Sequence, residues 1–307
     1  GKSRGIYPGD VLFASADGED WTLVTDEAPW RGRGAAGAVV FDGRMWVIGG
    51  AGGGRLLSDV WSSADGVEWT CELAEAPWSP RQFFSMTAVL GGRIWLMGGG
   101  ITNYHPFKAY RDVWSSPDGR QWTKATDCAP WPARIWSSSA VYRNRLWVLT
   151  GFRAEPTWNN FDDVWYSADG AHWKRLETES IWSPRHEVSV YVFDDRLWAV
   201  GGNAWPLMND SWHLEIPGLT FLSQPVVEEF ATAQYTYRAQ ADFNESCGPV
   251  RYRLVQAPEW LSVEPETGLV RGTPPPTPQE AEITLEAFDE AGEAARQSWT
   301  LHVIPFG

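Results

Sequence analysis

Hydrophobic positions in the first two-thirds of the chain occur in short clusters bounded by glycine-containing turns. The run at residues 93–97, Arg-Ile-Trp-Leu-Met, has the length of one strand, and no apolar run approaches the roughly 18 residues that a membrane helix needs. Asp-Gly or Gly-Gly joins several clusters, and these pairs favour tight hairpins because both turn positions adopt positive φ. The pattern predicts short strands joined by turns, with essentially no helix.

Tryptophans mark a repeat in this region. A turn of the form Ser-x-Asp-Gly-x-x-Trp ends at Trp21, Trp69, Trp122 and Trp173. Another tryptophan lies three residues before an arginine in each copy: Trp30, Trp78, Trp131 and Trp182. Two more recur within strand-like segments: Trp46, Trp95, Trp147 and Trp198, then Trp61, Trp114, Trp165 and Trp212. Sixteen of the 21 tryptophans occupy these positions, so most of the tryptophan excess reflects architecture.

Each copy of the repeat predicts four short strands. In the second full copy they lie at residues 81–90, 93–97, 112–116 and 121–125. Consecutive four-stranded units of this kind are the blades of a β-propeller. Four full blades are predicted, at residues 33–70, 81–124, 134–174 and 185–223. Residues 10–24 supply a half blade with only the last two strands, so we expect a propeller that is truncated at its N-terminus.

The order of these elements resembles the Kelch repeat. Each copy within residues 10–223 has the same order: an arginine, a first strand, a second strand with an aromatic residue, a Gly-Gly doublet, Asp-Val-Trp and an Asp-Gly turn. The resemblance implies a Kelch-type β-propeller at residues 1–223. The sialidase Asp-box also has Ser, Asp, Gly and Trp in a hairpin, but the turn here is one residue shorter and the Gly-Gly doublets are typical of Kelch repeats.

The pattern changes after residue 223. Residues 224–307 lack the repeat and carry 13 Asp and Glu against five Lys and Arg. Strand-like runs lie at residues 234–239, 250–254, 269–271, 282–287 and 296–304. The segment at residues 258–274, which contains Thr-Gly and ends in Gly-Thr-Pro, resembles a signature of bacterial Ig-like and cadherin-like domains. The resemblance implies a seven-stranded β-sandwich at residues 224–307, typical of spacer or adhesion modules on secreted and surface proteins.

Charge and cysteine content narrow the function classes. The formal net charge of −14 argues against non-specific nucleic-acid binding, which requires a basic surface. Cys71, Cys128 and Cys247 share no close spacing, and the five histidines have no metal-ligand spacing. Three cysteines allow at most one internal disulfide. We therefore expect neither a zinc site nor a CxxC redox motif, and no cofactor.

The candidate ligand site is the mouth of the predicted propeller. One arginine precedes the first strand of each blade, and in Kelch propellers such positions face the central entrance: Arg33, Arg81, Arg134 and Arg185. Arginine binds carboxylates through its planar fork. Alternatively, these arginines hold the blades together through Asp side chains or backbone carbonyls. Neighbouring positions and loops add aromatic residues suited to stacking on sugars or gripping a peptide: Phe84, Tyr104, Trp136, Trp158 and Trp205.

Evidence for chemistry beyond binding is sparse. His186 and Glu187 form the sole candidate acid–base pair at a blade mouth. The sequence at residues 32–37 satisfies a dinucleotide-binding pattern, but it precedes a strand instead of a helix. Asp289 and Glu290 form an acidic turn with oxygen ligands of the kind that suits Ca²⁺.

Two functions are compatible with these features. The first is a non-catalytic recognition or scaffold protein that binds a carbohydrate or an acidic peptide at the mouth, located outside the cell, on its surface or in the periplasm, with no membrane span in this chain. The second is a Kelch-type sugar-processing enzyme, such as a sialic-acid mutarotase-like epimerase. The sequence leaves open whether the protein is an enzyme.

Overall fold

The structure, a computed structural model, describes residues 11–30, 32–102, 107–153, 157–178, 180–214, 219–242, 249–290 and 292–305. Throughout these ranges the chain forms strands, turns and loops without a helix, as predicted. No helix long and apolar enough to cross a membrane therefore occurs in the described part of the chain. The chain divides into two compact units, residues 1–214 and 215–307.

The first unit begins with a two-stranded hairpin followed by the first of four antiparallel sheets. The hairpin contains β1 (Leu12–Ala14) and β2 (Thr22–Thr25), which are the two strands predicted for the half blade. The first sheet contains β3 (Arg33–Gly34), β4 (Gly37–Phe41), β5 (Arg44–Gly52), β6 (Arg55–Ser63) and β7 (Trp69–Leu73). The long strand β5 pairs with β4 and then with β3, and β6 and β7 complete the sheet.

The second and third sheets repeat this arrangement with four main strands each. The second sheet is β8 (Thr87–Leu90), β9 (Arg93–Met97), β12 (Val113–Ser116) and β13 (Thr123–Thr126), with the short pair β10 (Gly100–Ile101) and β11 (Lys108–Ala109) in its central loop. The third is β14 (Ser138–Tyr142), β15 (Arg145–Leu149), β18 (Val164–Ser167) and β19 (Lys174–Arg175), with the pair β16 (Phe152–Arg153) and β17 (Asn159–Asn160).

The fourth sheet has three strands among the described residues, where the repeat predicts four. It contains β20 (Ser189–Phe193), β21 (Arg196–Val200) and β22 (Ser211–Leu214). The closing strand was expected within residues 216–222. Residues 215–218 lie outside the described ranges, and β23 (Thr220–Phe221) pairs with β26 (Ala241–Asp242) in the second unit. Among the described residues, β22 therefore lies at the edge of its sheet.

Consecutive sheets contact one another through their first strands, so that β4, β8, β14 and β20 follow in series. Side-chain hydroxyls bridge these neighbours: Thr87 Oγ1 donates to the carbonyl of Ala38 (3.3 Å), and Ser139 Oγ donates to that of Ser85 (2.5 Å). Apolar side chains fill the space between sheets. Trp46, Ile48 and Val60 of the first sheet pack with Ile94 and Leu96 of the second. Burial of these side chains, at about 1.5–3 kcal/mol each, holds the series together.

Glycine in the repeated turn allows close contact with the preceding sheet. A Cβ at Gly119 would lie 2.1 Å from the ring of Trp46, and a Cβ at Gly170 would lie 2.1 Å from that of Trp95. Both glycines also have positive φ, of 72° and 70°, which side chains disfavour. The Asp-Gly turn therefore closes its own hairpin, and its glycine also packs against a tryptophan of the neighbouring sheet.

The second unit is a β-sandwich, as predicted. One sheet has the order β24 (Glu228–Phe230), β31 (Ala294–Ile304), β30 (Gln279–Phe288), β27 (Arg251–Gln256), and β24 and β31 are parallel. The other has the order β25 (Tyr235–Arg238), β29 (Leu269–Gly272), β28 (Leu261–Val263). All five sequence-predicted strands are present. Tyr235, Val270, Leu285 and Leu301 are fully buried between the sheets.

Candidate functional site

The four repeated arginines are buried in ion pairs within their own sheets. Each guanidinium donates two hydrogen bonds to the aspartate that lies two residues before the third-strand tryptophan; the pairs are Arg33–Asp59, Arg81–Asp112, Arg134–Asp163 and Arg185–Asp210. The shorter bond is 2.5–2.6 Å long in every pair. The same guanidinium also donates to a carbonyl three residues after the second-strand tryptophan, namely that of Gly49, Gly98, Thr150 or Gly201.

The third pair illustrates how fully these arginines are engaged within the fold. Arg134 Nε donates to the carbonyl of Pro132 (3.1 Å), and its side chain is 0% exposed. Trp165 Nε1 donates a further hydrogen bond to Asp163 Oδ2 (2.8 Å), the carboxylate that Arg134 also binds. Burial would raise the pKa of Asp163, but the hydrogen bonds and positive charge of Arg134 outweigh burial and hold that pKa below its usual range. The partners are the aspartate and backbone carbonyls of the alternative prediction, but they lie in the arginine's own sheet, so the contacts hold each sheet together instead of joining neighbouring blades.

Three of the remaining candidates line a cleft at the start of the first strands. Phe84, Trp136 and Glu187 precede β8, β14 and β20, and they line a cavity of about 430 Å³. Each has a positive φ, of 53°, 54° and 54°, as does Ala35 before β4 (54°). This conformation costs about 1–3 kcal/mol for a non-glycine residue, and it persists where the surrounding structure enforces it. Here Phe84 N donates to the carbonyl of Ala35 (3.2 Å), and Glu187 N donates to that of Trp136 (2.9 Å).

Hydroxyl groups supply most of the other polar atoms in the cleft. Its lining includes five serines: Ser85, Ser137, Ser138, Ser139 and Ser189. Ser138 Oγ donates to the carbonyl of Val188, and Ser137 Oγ donates to that of Thr150 (3.0 Å). These two serines are buried with their protons engaged, whereas Ser85 and Ser189 are exposed. None of the described residues that line the cleft is Lys, Arg or His, and Glu187 adds an exposed carboxylate.

An aromatic strip extends from the cleft to the surface. Trp136 makes an edge contact with Phe84 (6.3 Å between ring centroids) and stacks on Phe152 (5.3 Å). Phe152 in turn contacts Trp158 edge-on (5.4 Å), and Trp158 is 78% exposed. Phe152 thus links two of the predicted aromatic residues, Trp136 and Trp158, although Phe152 is not itself among the predicted site residues. The signal was available, because the position after the repeated glycine differs between copies: Ala51, Gly100, Phe152 and Asn203.

His186 lies behind this strip and not in the cleft itself. Its ring is buried and stacks on Trp136 (5.0 Å). Burial lowers the pKa of His186 and so favours the neutral imidazole, although the nearby negative charge of Glu187 opposes this shift. Asn160 Nδ2 donates to the carbonyl of Asn203 (3.2 Å), so Asn160 Oδ1 accepts from His186 Nδ1 (2.7 Å). His186 Nε2 then carries the lone pair, 4.0 Å from Glu187 Oε2.

The other predicted residues lie apart from the cleft or outside the described ranges. Trp205 is 83% exposed in the turn after Asn203. Tyr104 and Cys247 are outside the described residues, while Cys71 and Cys128 are free and exposed. Asp289 Oδ1 accepts from the backbone N–H of Glu293 (3.0 Å), which closes the acidic turn. Within the described ranges no three His, Cys, Asp or Glu side chains group as metal ligands, so the Ca²⁺ hypothesis gains no support.

Comparison with known proteins assigns the C-terminal part of the chain. Residues 220–304 match the family described as "Putative Ig domain". This match agrees with the β-sandwich of the second unit and with the predicted Ig-like domain. A search of curated proteins gives no match.

Proposed function

We propose that the protein is a non-catalytic recognition protein that binds a neutral carbohydrate in the cleft formed by Phe84, Trp136 and Glu187. The four sheets of the first unit are, in this proposal, blades of a Kelch-type propeller. The serial contact of their first strands supports that fold, since the first strand of a blade lies innermost in a propeller. The Ig-like unit acts as a spacer or adhesion module on an extracellular or surface protein.

The composition of the cleft carries this proposal. Sugars present apolar C–H faces and a ring of hydroxyl groups, and binding sites for small molecules combine apolar walls with a few placed polar groups. Phe84 and Trp136 offer aromatic faces, the serine oxygens accept hydroxyl protons, and Glu187 accepts two at once. The predicted acidic peptide loses its support, because the arginines that would have bound it are engaged with aspartates.

A glycan array followed by calorimetric titration of the best oligosaccharide tests the proposal. Glu187→Gln should weaken binding about 10-fold or more, because hydrogen bonds to a charged group contribute about 1.5–3 kcal/mol. Trp136→Leu should weaken it through loss of the stacking surface. Glu68→Gln, an exposed residue of the first sheet's turn, is the matched control and should bind as the wild type does. Equal affinity in all four proteins would refute the cleft as the binding site.

The neutral imidazole of His186 beside Glu187 favours a second candidate, an epimerase acting on sugars. Such an enzyme needs a base and an acid near one substrate. Glu187 lines the cleft, and His186 Nε2 lies 4.0 Å from its carboxylate, behind the aromatic strip. The rate of anomer interconversion of sialic acid, followed by proton NMR, distinguishes the two functions. Acceleration that is lost in His186→Asn indicates the enzyme; a rate equal to that in buffer indicates recognition alone.

A further inference from the structure

Trp158 is among the most exposed aromatic side chains of the described residues, yet a paired loop holds it in place. The side chain is 78% exposed. It directly precedes β17, which pairs with β16 and places Phe152 opposite Asn160. The ring of Trp158 packs edge-on against Phe152, with 5.4 Å between ring centroids, and Phe152 is only 8% exposed. A buried aromatic ring therefore supports an exposed one.

Polar groups flank Trp158 in the same loop. Its chain neighbours, Thr157 and Asn159, are both exposed. Arg153 Nη2 donates a hydrogen bond to Thr157 Oγ1 (3.2 Å), and Arg153 pairs with Asn159 across the loop. An exposed aromatic face with hydroxyl and amide groups next to it suits a sugar ring, which has apolar C–H groups on its face and hydroxyl groups at its edge.

The loop of β16 and β17 lies at the same end of the third sheet as the cleft. Strands β14 and β15 are antiparallel, and Ser138 at the start of β14 pairs with Leu149 at the end of β15. Beyond these residues, Ile135 and Phe152 exchange two backbone hydrogen bonds, of 2.9 and 2.8 Å. Trp136 follows Ile135 directly and lines the cleft. The pairing of this sheet therefore brings the cleft and the loop side by side.

Trp136 belongs both to the cleft and to the aromatic strip. Phe152 and His186 stack on its ring, at 5.3 and 5.0 Å, and they lie 5.2 Å from each other. Rings stacked on opposite faces of one indole lie further apart than this, so both cover the same face and the other face is turned to the cleft. Because Trp136 and Trp158 both contact Phe152, a short chain of linked sugars reaches from one to the other.

We infer that the ligand is a chain of neutral sugars, one of which occupies the cleft while another stacks on Trp158. This inference rests on the proposed carbohydrate function, and it names the ligand class as an oligosaccharide or polysaccharide instead of a single sugar. A chain that contacts both places binds more tightly than a single sugar does, because the second contact forms within one complex. Acidic chains are disfavoured, since Glu187 lines the cleft and the protein has a net charge of −14.

Calorimetric titration with neutral oligosaccharides of increasing length tests this inference. The probes are glucose, xylose, mannose and N-acetylglucosamine, each from the single sugar to chains of about six units. In a series that binds, the longest chain should bind about 10-fold or more tightly than the single sugar. Trp158→Ala should remove this gain and leave the affinity for the single sugar unchanged, because the cleft is intact. Trp158→Phe keeps an aromatic face and should retain most of the gain.

Trp21→Ala is the matched control, because Trp21 is an exposed tryptophan of the N-terminal hairpin and is not among the described residues that line the cleft. It should bind chains of every length as the wild type does. Equal affinity for single sugars and long chains overturns the inference, as does unchanged binding of the longest chain by Trp158→Ala; both results leave the cleft proposal standing. An equal loss for all lengths in Trp158→Ala also overturns it, since Trp158 would then support the cleft. Absence of binding to every probe would refute the proposed function and, with it, this inference.

Discussion

Arg134 and Asp163 form a two-bond ion pair inside the third sheet, although 29 positions separate them in the chain. The arginine side chain is 0% exposed and that of the aspartate is 10% exposed. Desolvation of both charges is offset because nearly every polar atom has a partner, including the carbonyls of Pro132 and Thr150. The pair ties the approach to β14 to the start of β18, and corresponding pairs occur in the other three sheets.

Replacing Arg134 with alanine should destabilise the first unit by about 3–5 kcal/mol, because Asp163 would remain buried without its counter-charge. Urea denaturation followed by tryptophan fluorescence measures the loss. Arg134→Met combined with Asp163→Leu should recover part of the stability, since neither charge is then buried. Loss of carbohydrate binding in Arg134→Ala with an unchanged unfolding midpoint would instead restore the arginine to the ligand site.

Acid should weaken the fourth sheet through Asp210. Hydrogen bonds from Arg185, and then from Trp212, lower the pKa of Asp210 to about 2, against about 3.9 in an unfolded chain. The stability from this depressed pKa is fully present above about pH 4 and is lost as the pH falls towards 2. Asp210→Asn should be less stable at neutral pH and lose less stability across this window. Urea denaturation at several pH values between 2 and 5 measures the free energy of unfolding, with Asp20→Asn, on the hairpin turn, as the matched control. If the free energy of unfolding depends on pH in the same way in Asp210→Asn and in the wild type, the prediction is wrong.

Gly170→Ala should destabilise the protein more than Gly18→Ala does. Both glycines occupy the same turn position with positive φ, of 70° and 81°, so the backbone cost is shared. A Cβ at residue 170 would also meet the ring of Trp95 at 2.1 Å, whereas residue 18 has open space. Overpacking of this kind costs about 1–3 kcal/mol. Thermal unfolding of the two variants measures the difference, and equal melting temperatures would show that close packing of Gly170 against Trp95 does not contribute to stability.

Alkaline pH should destabilise the Ig-like unit through Tyr235. Its side chain is buried, its hydroxyl donates to the carbonyl of Val226 (2.9 Å), and burial raises its pKa above the ordinary value. A raised pKa stabilises the fold fully below about pH 10, and that contribution is lost as the pH rises further. Tyr235→Phe should cost about 1 kcal/mol at neutral pH and reduce the alkaline loss. Urea denaturation at neutral pH and above pH 10 measures the free energy of unfolding. The same alkaline loss in Tyr235→Phe and in the wild type would contradict the prediction.

Much of the fold could be predicted because its determinants are local. A strand of four or five residues is set by its own apolar positions, and its hairpin by a glycine that accepts positive φ. The repeat therefore located β9, β12 and β13 within two residues of their observed bounds, whereas β8 begins six residues later than predicted. The same reasoning located the strands of the Ig-like unit, whose family match begins at residue 220.

The sequence by itself determined the strands, the turns, the recurring tryptophans and the division into two kinds of sheet. Only the tertiary structure decided the role of the arginines, because a guanidinium binds a ligand or an aspartate according to what folding brings within 3 Å of it. It also joined Trp136 to Phe152 and His186, which are 16 and 50 positions away. It also paired β23 with β26, since a repeat predicts a strand from its local pattern, whereas the choice of a partner strand depends on the fold.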